Sequence, residues 1–146
     1  YYEDLSVGDR FPFGEYDVTD EEIREFAGKY DPQPFHLDAE AAADSVFGEL
    51  VASGWHTASI SMRLLVDHAF DDIAIMGGRG IDDLRWHRPI YPGETLSGSA
   101  EAVAKPEDGL RDTRGNVDFE ITITKPDGSV AMSYVTLSMV RRRESP

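Results

Sequence analysis

Apolar and polar positions follow two rhythms along the chain, helical in the first half and strand-like in the second. Ile23, Phe26, Ala27 and Tyr30 recur at i, i+3, i+4 and i+7, the spacing that gives a helix one apolar face. Thr19-x-x-Glu22 ahead of them is a capping box, in which hydroxyl and carboxylate satisfy free backbone N–H groups. Pro32 disfavours helical geometry in the residue before it, so this helix is predicted to stop at Asp31. Asp31–Asp38 reads as a proline-stiffened loop and Ala39–Ser45 as a short helix that Gly48 breaks. A longer helix is predicted over Trp55–Phe70. It places Trp55, Ala58, Met62, Leu65, Val66 and Ala69 on one face, with Ile60 and Leu64 elsewhere. A helix apolar over so much of its circumference is predicted to be deeply buried.

Beyond that helix the period falls to two. Val117, Phe119, Ile121 and Ile123 alternate with Asp118, Glu120, Thr122 and Thr124, the clearest strand in the sequence. Pro126-Asp127-Gly128 supplies a turn, and Val130–Val140 returns. Its apolar parity passes from Val130, Met132 and Tyr134 to Val135, Leu137 and Met139, which predicts a bulge near Tyr134. Glu94–Ala104 is a further strand. Ile73–Met76 and Gly80–His87 read as one interrupted strand, and Phe11–Val18 as an edge strand or an extended lead-in. A largely antiparallel sheet around one central helix is an α+β architecture, here a single domain over residues 1–146.

Composition narrows the function classes. The net charge of −14 opposes nonspecific binding to nucleic acid or to an anionic membrane surface. No apolar run approaches the roughly 18–20 residues that span a bilayer, and no basic start with an apolar stretch marks a secretion signal. The chain begins at Tyr1 rather than Met, as it would had an upstream segment been removed. With no cysteine, thiol catalysis and cysteine metal sites are excluded, and a reducing cytoplasm fits. The histidines and carboxylates show no metal-ligand spacing, so neither metal nor cofactor is expected.

The candidate chemistry lies in Tyr30-Asp31-Pro32-Gln33-Pro34-Phe35-His36-Leu37-Asp38. Pro32 and Pro34 restrict this loop and hold its side chains in place. Asp31 is predicted at a helix C-terminus, where the dipole disfavours a carboxylate and so makes it a better base. Histidine gives and takes a proton near neutral pH, so Asp31 and His36 could hold a water between them. On spacing alone the plainer reading leads: Asp31 opens a turn and His36 packs. Ser53 is a good N-cap residue for the long helix. The Gly54 N–H at its positively polarised start could stabilise an enolate-like oxygen, although Ser-Gly turns are common. His56, His68 and His87 are weaker candidates.

Several motifs in order resemble the MaoC-like dehydratase family, which includes the (R)-specific enoyl-CoA hydratases of the hot-dog fold. They are Glu3-Asp4-Leu5-Ser6-Val7-Gly8-Asp9, Phe26-Ala27, the loop with its Asp31-x4-His36 spacing, Phe47-Gly48, Val51-Ala52-Ser53-Gly54, and Arg85-Trp86-His87-Arg88-Pro89-Ile90-Tyr91-Pro92-Gly93-Glu94-Thr95-Leu96. Gln33-Pro34 stands where that loop commonly has Asn-Pro, and Ser53-Gly54 where many members have His-Gly. The combined match reverses the order of the two readings of Asp31 and His36.

The resemblance implies a hot-dog domain, with its sheet wrapped around the central helix. It implies that Asp31 and His36 activate the water that adds to a 2-enoyl-CoA thioester, while the Gly54 N–H binds the thioester oxygen. Ser59 falls where (R)-specific hydratases carry a supporting serine; a helix-packing role competes equally. Arg79, Arg85 and Arg88 are candidates for the phosphates of the CoA carrier, as is a plain solvated strand surface. A homodimer or a higher homo-oligomer is implied. A hot-dog thioesterase and a non-catalytic acyl-thioester binding subunit are the competing functions, and fold alone does not separate them.

Overall fold

The computed structural model describes residues 1–144. After a short turn, β1 (Arg10–Asp17) leads into α1 (Asp20–Tyr30). Next come α2 (Pro34–Leu37), α3 (Ala39–Ala43) and the long α4 (Gly54–His68). Four strands complete the chain: β2 (Ile75–Trp86), β3 (Thr95–Ala104), β4 (Arg114–Thr124) and β5 (Val130–Arg141). They form one antiparallel five-stranded sheet in the order β1-β3-β4-β5-β2. The α+β architecture with a central helix, expected from the sequence, is the architecture observed.

The hydroxyl half of the predicted capping box forms, whereas the Glu22 carboxylate turns to Tyr16 and His56 instead of the Thr19 N–H. Thr19 accepts from the Glu22 N–H, and α1 ends at Asp31 with φ −150° and ψ 67°, outside helical geometry. The Asp31–Asp38 stretch is more ordered than a loop, because α2 makes one turn inside it. Pro34 starts that turn, where a missing N–H costs nothing and φ is already helical.

Helix α4 buries only part of the face its apolar residues predict, Leu65 with Ala69 just beyond its end. His56, Thr57, Ile60, Ser61, Leu64 and Leu65 are buried, whereas Trp55, Met62 and Val66 are exposed. The reason lies in the sheet below. Phe119, Ile121 and Ile123 pair across from Thr136, Tyr134 and Met132 on its inner face, and the Ser61 hydroxyl bonds the Tyr134 hydroxyl at 2.8 Å. Small polar residues on α4 thus permit close approach, and hydroxyl pairing satisfies them.

Two strand expectations are corrected. Pairing runs unbroken through Tyr134; the irregularity lies at Ala131, between the Ile123–Met132 and Thr124–Val130 pairs. Met132, Tyr134, Thr136, Ser138 and Val140 all face inward, while Val135, Leu137 and Met139 are half-buried on the outer face. The two segments around residues 73–87 form one continuous strand whose register slips at three places. At one of these Asp83 adopts φ 56°, a left-handed conformation that aspartate tolerates better than most residues. Among the described residues no helix is long and apolar enough to cross a membrane.

Candidate active site

Three elements converge on one cavity of about 460 Å³. The end of α1 brings Asp31, α2 brings His36 and the start of α4 brings Gly54. Phe35, Phe47, Trp55 and Trp86 give it aromatic walls, and Arg88 lines it as well. The His36 ring is buried and lies with Nε2 3.3 Å from Asp31 Oδ2. Its Nδ1 is 2.7 Å from the Val51 carbonyl. A carbonyl only accepts, so Nδ1 carries a proton and Nε2 is the atom turned toward Asp31. The Val51 N–H in turn donates to the Phe35 carbonyl at 3.2 Å. Both backbone groups of Val51 therefore hold α2 in place.

Asp31 departs from expectation. A helix C-terminus raises a carboxyl pKa, and burial does too, yet Asp31 titrates below an ordinary aspartate. Burial is the largest influence, but hydrogen bonds from Ser53 and Gln33 and the nearby His36 together outweigh it. The Ser53 hydroxyl donates to Oδ2 at 2.7 Å and the Gln33 amide donates to Oδ1 at 2.6 Å. In the sequence Gln33 stood out only as a departure from the family loop, with no partner assigned to its side chain.

Gly54 is the first residue of α4, so its N–H has no acceptor within the helix. The Trp86 indole lies against it, and its N–H donates to the Gly54 carbonyl at 3.0 Å. A Cβ at position 54 would come 2.7 Å from Trp86 Nε1, so only glycine fits. Trp86 also meets Trp55 edge-on at 5.3 Å.

Of the other sequence candidates, His87 and Arg88 line the same cavity and the rest are dispersed. Ser59 does not join this group; its hydroxyl donates to the Trp55 carbonyl, and it lines a separate cavity between α1 and α4. Arg79 faces Asp118 at 3.7 Å and lines a third cavity with Arg111 and Arg114. Arg85 donates to its neighbour's carbonyl, that of Leu84, from an exposed position. Only Arg88 of the three reaches the Asp31 cavity. His56 packs instead: its ring stacks on Phe26 at 4.9 Å and its Nε2 lies 2.9 Å from Glu22. Tyr16 donates to the same Glu22 oxygen at 2.5 Å, a cluster that the sequence pattern did not single out.

Residues 6–124 match the MaoC like domain family. The chain belongs to that family. A curated relative, the uncharacterized protein YdeM of Bacillus subtilis, is 30% identical over 103 residues, covering 70% of this chain and 73% of its own length. The crystal structure of a MaoC-like dehydratase from Rhodospirillum rubrum is 42% identical, with a TM-score of 0.89 over 98% of this chain and 97% of that one. An (R)-hydratase from Pseudomonas aeruginosa shares the fold at 22% identity, with a TM-score of 0.74 over 98% of this chain and 86% of that one. The hot-dog fold of MaoC-like proteins is thus the fold of this chain, and the cavity holding Asp31, His36 and Gly54 is the candidate site of a MaoC-like domain.

Proposed function

We propose that this MaoC-like protein is an enoyl-CoA hydratase/3-hydroxyacyl-CoA dehydratase, a lyase that adds water to a 2-enoyl-CoA thioester and removes it in reverse. One observation carries the reading. The Asp31 carboxylate and His36 Nε2 are 3.3 Å apart in an aromatic cavity that also contains the unpaired N–H of a helix start. Water addition to a conjugated thioester needs these parts. A water that donates to Asp31 and His36 becomes a better nucleophile. As its oxygen bonds the β-carbon, the π electrons move to the thioester oxygen, where the Gly54 N–H and the helix dipole stabilise the charge. Return of a proton to the α-carbon completes the 3-hydroxyacyl product, and the thioester bond stays intact throughout.

Purified protein is expected to consume a trans-2-enoyl-CoA, seen as loss of the conjugated absorbance. Asp31→Asn and His36→Ala are each expected to lower the rate by about 10²–10⁴-fold with the circular dichroism spectrum unchanged. Variants that match the parent would contradict the roles given to this pair, and release of free CoA at the parent rate would point to a thioesterase.

The assembly proposed is a homodimer joined along β2. Among the described residues that strand has only β5 as a neighbour, and it exposes Met76, Ile81 and Trp86. Trp55, Met62 and Val66 continue the exposed apolar surface along α4, and edges of this kind are usually covered.

A further inference from the structure

Ser53 and Gln33 stand at positions where this chain departs from the common family pattern, and both bond the same carboxylate. Each takes a different oxygen: Gln33 Nε2 donates to Oδ1 and the Ser53 hydroxyl to Oδ2. Two donors on two oxygens fix the plane of a carboxylate, which one donor cannot do. Ser53 is fully buried and its oxygen also accepts from the Trp55 N–H at 3.3 Å as the cap of α4. With its lone pair turned to the helix, its single proton is directed at Asp31. The residue next along the chain is Gly54. One serine therefore links the carboxylate to the helix start that offers the oxyanion donor.

We propose that Ser53 and Gln33 are positioning residues that clamp Asp31 as a fixed carboxylate, leaving His36 Nε2 as the atom that carries the proton. The proposal rests on the hydratase reading of the site. Asp31 has both oxygens engaged by donors and is held below an ordinary aspartate, so it orients water without keeping its proton. His36 has Nδ1 committed to the Val51 carbonyl, and only Nε2 is free to exchange. In the addition, the water oxygen bonds the β-carbon while one water proton passes to Nε2. That same Nε2 then delivers a proton to the α-carbon, and the ring returns to its starting state. Among the described residues lining this cavity, the other titratable or charged groups are His36, His87 and Arg88, and none is a second carboxylate; of these His36 lies against Asp31, while His87 bonds Ser133.

The test uses Gln33→Ala, Gln33→Glu and Ser53→Ala, with Ser53→Thr as the conservative variant that keeps the hydroxyl. Asp31 titration, followed by carbon NMR of its carboxyl in the folded protein, is expected to move up by roughly one pH unit with loss of either donor. Ser53→Thr is expected to hold the parent value. In the hydration assay kcat is expected to fall about tenfold with KM within about twofold. The acid limb of the rate profile should move to higher pH, because a raised Asp31 pKa empties the ionised form sooner as pH falls. Gln33 is exposed and its side chain makes no capping bond to α2, so its variants remain informative if Ser53→Ala unfolds. An unmoved Asp31 titration in the Gln33 variants would overturn the clamp whatever the activity. Shifted titration in a parent protein that hydrates no enoyl thioester would uphold the clamp as structure and overturn the division of the proton transfer.

Discussion

At the scale of single residues, Gly54 is the cavity position with least room to change. Its Cβ position is filled by the Trp86 indole, so Gly54→Ala is expected to cost about 1–3 kcal/mol as an overpacked site. That would lower the thermal midpoint by several degrees. Most of that increment should vanish when Trp86→Ala is present in the same chain, a coupling read from a double-mutant cycle. Additive losses would mean that the indole and the glycine do not constrain each other. The sequence made Gly54 a candidate through the Ser-Gly start of an apolar helix, but not its reason for being glycine. That reason is a contact with a residue thirty-two positions away, which no local pattern encodes. The direction of the Asp31 shift was hidden for the same reason: the helix-end effect is local and was visible, whereas Ser53 comes from another element.

At the scale of elements, a cluster ties β1, α1 and α4 together through Tyr16, Glu22 and His56. The cluster lies behind the site and braces α1, whose end carries Asp31, against α4, which begins at Gly54. Burial, and then the hydrogen bond and charge of Glu22, push the Tyr16 phenol up to about 12. An unfolded tyrosine ionises near 10. The Tyr16 contribution to stability is therefore complete below pH 10 and is lost as pH rises from there toward about 12. Ultraviolet titration of the phenolate should show this high value, and Glu22→Gln should bring it down; an unchanged value would contradict the cluster. Glu22 and Asp31 work in the opposite sense, since both titrate below their ordinary values. Their stabilisation is present above the unfolded pKa and is lost as pH falls through the folded one. The elements themselves were largely legible, because capping, proline and period-two signals act over a few residues. The inward face of α4 was not, because Ser61 and Thr57 are buried by the sheet beneath them and not by their own apolarity. The parity change in β5 misled for a related reason: Val135, Leu137 and Met139 are apolar on an outer face that a single chain half-covers.

At the scale of the whole molecule, the sheet has two open edges, and β2 combines its edge with exposed apolar side chains and the apolar stripe of α4. Light scattering is expected to give twice the 16.2 kDa chain mass. Ile81→Lys on β2 should shift that mass toward the monomer; a parent protein that is monomeric at all concentrations would contradict the dimer. Asp31, His36 and the Gly54 N–H lie within one chain, so the proposed hydratase chemistry can be tested directly. The most direct measurement is turnover of a trans-2-enoyl-CoA in ¹⁸O-labelled water, followed by mass analysis of the thioester. The account predicts one ¹⁸O atom at the β-carbon of an intact 3-hydroxyacyl-CoA, abolished by Asp31→Asn; label in a released free acid, or equal labelling with the variant, would contradict it.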